Sequence, residues 1–374
     1  MRVAVNTRFL LPGKLEGIGY FTREIVRRLP DHLPEAAFLF CSDRKTTPAL
    51  AAHPRVETRV VYPPARHPWL WTLWFNYALP RAAASWGADV LLHLDGYCSL
   101  RTSIPQVMVI HDIAHVHYPA EIPGRALRYY ERNIPRFLRR AERVLTVSEY
   151  VREDIVREYG IAADKLSVTH NGVRPQFGPL PESVRREVRE RYASGQQYFF
   201  YLGAIHPRKN VARLIRAYTA YRAAGGPAVK LLLGGRLAWQ TGEIERARRA
   251  SDYRDDIHFL GYVDEAELPR LLGSALALVY PSLNEGFGVP LLEAMHAEVP
   301  IVTSDRSSLP EVAGQAALFV NPEDIQDLAE ALRRVAVDTA LTDRLVAAGR
   351  ERRARYDWDS AAATVAAAVR GLGA

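Results

Sequence analysis

Short apolar runs alternate along the chain with longer segments in which apolar residues return every three or four positions. In the first half, Arg2–Thr7, Phe38–Cys41, Arg59–Val61, Asp89–Leu94, Gln106–Ile110 and Leu166–Thr169 predict strands, with another strand end at Leu145–Glu149. Several are continuously apolar rather than alternating, as expected of parallel strands covered on both faces. Helical spacing predicts Tyr20–Arg28, Gly124–Val144 with an interruption at Pro135, and Tyr150–Tyr159 with Ser148 as its N-cap. The alternation then stops at Arg174–Pro181, a segment with three prolines that reads as a linker, followed by a polar helix at Glu182–Tyr192. It resumes with strands at Tyr198–Leu202, Val229–Gly234, His258–Leu260, Ala275–Tyr280, Ile301–Ser304 and Ala317–Val320. Helices are expected at Val211–Tyr221, from Pro290, at Ile325–Val335, at Leu341–Arg355 and finally at Ser360–Leu372.

This order predicts an α/β chain of two doubly wound, Rossmann-like domains facing a cleft. The expected boundaries are 1–175 for the first domain, 176–197 for linker and helix, 198–355 for the second domain and 356–374 for a last helix able to pack back on the first. A chain of 374 residues has room for both. No apolar run reaches the roughly 18 residues that a membrane span needs, and MRVAVNTRFL lacks the apolar core of a signal peptide. Cys41 and Cys98 make neither a disulfide framework nor a metal cluster, so a cytoplasmic location without metal or cofactor is expected.

Charge adds an asymmetry. Residues 1–175 hold 24 Lys and Arg against 17 Asp and Glu, whereas 176–374 hold 25 of each. The whole excess of +7 lies in the first half, which suits a face toward anionic lipid at the inner membrane surface or toward a phosphate-bearing acceptor. No helix-turn-helix, zinc finger or RNA-binding aromatic motif accompanies it, so nucleic acid is not an expected partner. Two features of this half have paired readings. Trp69, Trp71, Trp74, Phe75 and Tyr77, between Arg66 and Arg81, read as a helix packed on the sheet or as a partly exposed face for lipid or an acceptor sugar. Arg125, Arg128, Arg132, Arg136, Arg139, Arg140 and Arg143 share a helix face, mostly a solvated one.

The candidate chemistry sits at strand ends. Val279–Ala294, VYPSLNEGFGVPLLEA, runs from a strand through a glycine-containing loop to a helix opened by Pro290. The N–H groups of such a helix start favour an anion such as phosphate. Glu285 lies in the loop and Glu293 about one turn into the helix; both are suited to sugar hydroxyls. Gly203 leads to His206-Pro207-Arg208-Lys209-Asn210, where Arg208 and Lys209 match the chemistry of a diphosphate. Gln106–Ile110 delivers His111 and Asp112 at its carboxyl end. Gly17 and Gly19 lie in a loop, Gly13–Thr22, that carries an incomplete phosphate-binding pattern. Asp357-Trp358-Asp359 has the form of a metal-binding DxD but reads as a helix cap.

Glu285-x7-Glu293, with Gly286, Phe287, Gly288 and Pro290 between, resembles the signature of retaining glycosyltransferases of family 4 (GT4), which have the GT-B fold. Ala294-Met295, Pro300–Ser304, Leu309-Pro310-Glu311, the segment His111–Pro119 and TVSEYVREDIVREYG resemble the same family. The resemblance implies that Glu285 contacts the donor sugar, Glu293 the nucleotide ribose, and His111 the sugar beside its anomeric carbon. It implies that Arg208 and Lys209 hold the donor diphosphate, although Ala204 stands where many members carry Arg. The Gly17–Gly19 loop, Gly203, the turn reaching Val263, and Gly286, Phe287, Gly288 and Val289 complete the expected donor site. The implied reaction is metal-independent, front-face transfer of a hexose from a nucleotide diphosphate sugar to a glycan or lipid-linked acceptor. The His111-Asp112 type resembles mannosyltransferases of bacterial polysaccharide or O-antigen assembly, so GDP-mannose is the implied donor. A nucleotide-sugar epimerase, a phosphorylase and a non-enzymatic nucleotide-sugar-binding subunit are the alternatives.

Overall fold

The computed structural model describes residues 1–11, 15, 17–45, 53–65, 67–238 and 241–373. They form two compact units, Met1–Asn171 with Asp357–Ala374, and Gly172–Tyr356.

The first unit is built on seven parallel strands: β1 (Arg2–Asn6), β2 (Ala37–Ser42), β3 (Val56–Val60), β4 (Val90–His93), β5 (Gln106–Ile110), β6 (Arg143–Thr146) and β7 (Leu166–Val168). Their order is β3-β2-β1-β4-β5-β6-β7. The chain winds outward from β1 in one direction, then returns to β4 and winds in the other. Val3 pairs with Phe38 on one side and Val90 on the other. Val3, Ala4, Val5, Leu91 and Val107 are fully buried, which is why these strands are apolar at consecutive positions. The last helix, Trp358–Arg370, packs in this unit against helix Gly17–His32. Trp358 meets the Phe21 ring at 5.9 Å, and Arg28 Nε lies 3.3 Å from Asp359. Asp357 is its N-cap, accepting from Ser360 N–H at 2.8 Å, so the DxD-like triplet is a helix start.

Three elements differ from the sequence expectation. The first helix begins at Gly17 rather than Tyr20 and continues through Pro30 to His32. Gly17 and Gly19 therefore belong to a helical turn, not to a loop, while Gly13 and Lys14 lie outside the described residues. Helix Gly124–Arg140 passes through Pro135 without interruption and stops before Val144. Pairing decides that boundary: Arg143 and Val144 align with Val107 and Met108, and the apolar run joins the sheet as β6. The aromatic segment is a helix at Pro68–Leu73, a π turn at Trp74–Ala78 and a helix at Leu79–Trp86. Trp74 and Phe75 are buried, and Trp74 Nε1 donates to Val61 O at 2.9 Å. Trp69 and Tyr77 are exposed, so the segment is core on one side and surface on the other. Arg66 lies outside the described residues.

The second unit repeats the plan with β8 (Tyr198–Leu202), β9 (Lys230–Gly234), β10 (Ile257–Gly261), β11 (Ala277–Tyr280), β12 (Ile301–Ser304) and β13 (Ala317–Val320). Their order is β10-β9-β8-β11-β12-β13, all parallel. The Pro-rich segment 174–181 and helix Glu182–Ala193 belong to this unit. In both sheets the winding reverses between two adjacent central strands, β1 and β4 in one, β8 and β11 in the other. Ligands of open α/β sheets bind at the carboxyl ends of strands at that reversal. Among the described residues no helix is long and apolar enough to cross a membrane.

Candidate functional site

At the reversal of the second sheet, β8 leads through Gly203 and His206 into a one-turn 3-10 helix, Pro207–Lys209. Asn210 follows with φ 62°, a region that Asn enters more readily than most residues. Its Nδ2 donates to Pro281 O at 3.0 Å and Pro322 O at 2.6 Å. Strand β11 leads through Tyr280 into residues 281–288. There Leu283 N–H donates to Arg208 O at 2.9 Å, and Ser282 Oγ to the same oxygen at 3.3 Å. The turn with the cations and the loop with Glu285 are thus one hydrogen-bonded unit.

Within it, Lys209 Nζ forms an ion pair with Glu285 Oε1 and donates to Tyr280 Oη at 2.9 Å. Tyr280 Oη donates to the same Glu285 oxygen at 2.7 Å. Burial by itself would push the Glu285 carboxyl up, but Lys209 and then Arg208 outweigh it and hold the group below the usual carboxylate range. Burial also raises the Tyr280 hydroxyl well above its ordinary value, so it remains a donor. The backbone of Glu285 is pinned at both ends: its N–H donates to Ser307 Oγ at 3.0 Å, and its carbonyl accepts from Ser308 Oγ at 3.0 Å. An ionised carboxylate and two cations are therefore held at the strand ends. Fixed charges of this kind can orient hydroxyls and stabilise a departing anion.

Gly288, with φ +95°, is the N-cap of helix Val289–Ala297. A Cβ there would lie 2.6 Å from Leu309 Cδ2, so glycine suits both the backbone angle and the close approach. Gly286 is buried, and the Phe287 side chain turns into the core, edge-on to Tyr356 at 5.5 Å. Val289, half-buried, opens the helix. On the other side of β8, a Cβ at Gly235 would lie 1.8 Å from Gly203 O, so the chains leaving β8 and β9 touch backbone to backbone. Val263 follows β10, and its Cγ2 would lie 3.1 Å from a Cβ at Gly234. Gly203, Gly234, Gly235 and Val263 thus border the same strand ends. The sequence reading singled out Gly203 and Val263 but not Gly235.

Glu293 is only 2% exposed. Arg174 Nε lies 3.0 Å from Glu293 Oε1, and its guanidinium sits 4.8 Å from the centre of the Phe177 ring. Burial pushes the Glu293 carboxyl up, and Arg174 offsets part of that. The sequence reading missed Arg174, because a proline-rich segment gives no sign of a partner 119 positions away.

The remaining candidates lie in the first unit. His111, half-buried after β5, donates from Nε2 to Leu94 O at 2.9 Å, which fixes the neutral tautomer. Burial lowers its pKa, and the bond to Leu94 opposes part of that. Phe21 meets its ring edge-on at 4.9 Å. Asp112 Oδ1 accepts at 3.1 Å from the N–H of Ala114, the first residue of the short helix Ala114–His117. Gly17 is the first residue of its helix, and a Cβ at Gly19 would lie 2.8 Å from Phe9 O, so Gly19 brings that helix close to the chain leaving β1. The sequence reading also missed the pair at the reversal of this sheet. Arg8, after β1, lies 3.2 Å from Asp95, after β4, with its guanidinium 4.7 Å from the Tyr97 ring centre. His117, Asp154 and Glu158 bring potential metal-ligand atoms within 4.8 Å of one another, but Arg157 pairs with Asp154 and already supplies the counter-charge.

The chain is similar to known proteins in sequence and in fold. The family model "Glycosyl transferases group 1" matches residues 184–352, and "Glycosyltransferase Family 4" matches 15–177. O-antigen chain mannosyltransferase B of Escherichia coli is 31% identical over 255 residues, covering 68% of this chain and 67% of the relative. Sucrose-phosphate synthase from Thermosynechococcus elongatus superposes with a TM-score of 0.77 at 21% identity, over 99% of this chain and 98% of that one. Anabaena HepE in complex with UDP-glucose superposes with a TM-score of 0.73 at 18% identity, over 99% of this chain and all (100%) of that one. These likenesses show the GT-B fold.

Proposed function

This chain belongs to the group 1, family 4 glycosyltransferases, and we propose that it transfers mannose, with retention, from a nucleotide diphosphate sugar to a glycan or lipid-linked acceptor. The observation that carries the reading is the Lys209–Glu285–Tyr280 group at the strand reversal of the second unit. A diphosphate is a dianion or more, and Lys209 and Arg208 offer it a point charge and a planar fork from one turn. The amide end of helix Val289–Ala297 adds a partial positive charge beside the same loop. Together they stabilise the charge that grows on the diphosphate as the bond to the anomeric carbon breaks, which is the basis for a metal-independent reaction.

In this reading Glu285 orients the hydroxyls of the transferred sugar, and Glu293, steered by Arg174, accepts from the nucleotide ribose. Gly203, Gly235 and Val263 allow the nucleotide to lie close to backbone. The acceptor hydroxyl attacks the anomeric carbon on the face from which the diphosphate leaves, and its proton passes to the departing phosphate oxygen. His111 lines the sugar beside its anomeric carbon, and Asp112 next to it joins the catalytic group, as the family resemblance implies. Mannose is supported by the mannosyltransferase relative, and work at the inner membrane surface by the basic first half; a GDP carrier is what the family resemblance implies.

The test is calorimetry with GDP and UDP, followed by incubation with a panel of donors and acceptors. Binding of a nucleoside diphosphate and a glycosylated product with retained configuration are expected. Epimerised donor, or binding without transfer to any acceptor, would replace this reading by one of the alternatives.

A further inference from the structure

On the first unit, a groove of about 900 Å³ runs between the aromatic segment and helix Gly124–Arg140. One wall is basic. Arg125, Arg128, Arg132 and Arg136 follow at spacings of three, four and four, so they stand on one helix face, and all four are exposed. Nearby arginines pair with acids: Arg140 lies 2.7 Å from Glu142, and Arg152 2.8 Å from Glu149. Among the described residues the four groove arginines have no ion-pair or hydrogen-bond partner. Arg101 adds a fifth positive charge from the opposite side, 5.7 Å from the centre of the Tyr77 ring, and Glu131 is the one acid in the lining. A row of unpaired like charges repels itself, and an anion relieves that repulsion.

The other wall carries aromatic side chains, with Thr72 and Asn76 between them. Trp69, Leu73 and Tyr77 are 63%, 40% and 51% exposed and recur every four residues along the helical segment, so they form a stripe. Trp69 and Tyr77 line the groove itself. A soluble phosphate would use the arginines and leave this stripe in water. A phospholipid surface uses both, because phosphates meet the guanidinium forks while indole and phenol rings sit at the headgroup level.

We propose that this groove docks the protein on an anionic phospholipid membrane, with Arg128 and Arg132 engaging lipid phosphates and Trp69 and Tyr77 entering the interface. The inference deepens the proposed work on an acceptor at the inner membrane surface and rests on that reading for its purpose, but it uses none of the donor-site residues.

Co-sedimentation of the full chain with vesicles tests it. Wild type should bind phosphatidylglycerol–phosphatidylcholine vesicles at low salt, lose much of that binding at high salt, and bind pure phosphatidylcholine weakly. Arg128→Gln with Arg132→Gln, and separately Trp69→Ala with Tyr77→Ala, should each weaken binding by roughly tenfold or more. Inorganic diphosphate provides the soluble arm. If it binds the wild type in a way that the arginine variants abolish, while vesicles are ignored, the groove serves a soluble anion and the proposal is wrong. Vesicle binding unchanged in either double variant also overturns it. Circular dichroism and melting curves that match wild type show that the variants, whose substitutions all lie in the first unit, are folded. Loss of nucleotide binding with vesicle binding intact would sink the donor assignment and leave this proposal standing.

Discussion

Arg174 and Glu293 form a buried ion pair across 119 positions of sequence, joining the proline-rich segment to the helix that follows Gly288. Removing one partner of a buried pair leaves a charge without compensation, which typically costs about 3–5 kcal/mol. Arg174→Ala should therefore unfold the second unit at markedly lower urea, whereas Arg174→Met with Glu293→Leu should recover much of the loss. Equal stability of Arg174→Ala and wild type would mean that the pair contributes nothing.

Glu285 and Glu293 sit on one loop–helix unit yet should fail differently. Contacts to the sugar can tighten as the anomeric carbon becomes cationic, whereas contacts to the ribose should hardly change. Interactions stronger in the transition state raise kcat, and uniform ones lower KM. Glu285→Gln is expected to reduce mainly kcat and to spare nucleoside diphosphate affinity; Glu293→Gln is expected to weaken donor and free nucleotide alike. The reverse pattern in calorimetry and steady-state kinetics would exchange the two roles.

Lys209→Ala should weaken diphosphate binding by about 1.5–3 kcal/mol, the range for hydrogen bonds to charged groups. Because protein cations are assigned the neutralising work, turnover by wild type should survive EDTA. Activity that vanishes on chelation and returns with Mg²⁺ or Mn²⁺ would transfer that work to a metal.

The first unit should lose stability in mild acid. Burial pushes both His93 and His115 from the ordinary 6.5 down to about 4. Between those values the unfolded chain binds protons that the folded chain refuses, so stability falls as pH falls. The contribution is complete above about pH 6.5 and lost toward pH 4, at most about 3 kcal/mol for each residue. Melting curves for wild type and His115→Gln should converge over this window; parallel curves would place the acid sensitivity elsewhere.

The sequence determined the strand order of events along the chain, because consecutive apolar residues such as Val107–Ile110 and Phe199–Tyr201 have no stable place outside a doubly covered sheet. It also marked Glu285, Lys209 and Gly288, since loops between strand and helix carry their chemistry in local spacing. Other features were settled only by the tertiary structure. Whether Val144 ends a helix or begins a strand depended on Val107 and Met108 lying alongside. Which rings of the aromatic segment face water depended on the sheet beneath, which hides Trp74 and leaves Trp69 out. The partners of Glu293 and Asp95, Arg174 and Arg8, lie 119 and 87 positions away. Local spacing records what a residue can do, but a charge buried in a fold must be matched by whatever the chain brings beside it. That choice belongs to the packing of distant segments, and no local pattern carries it.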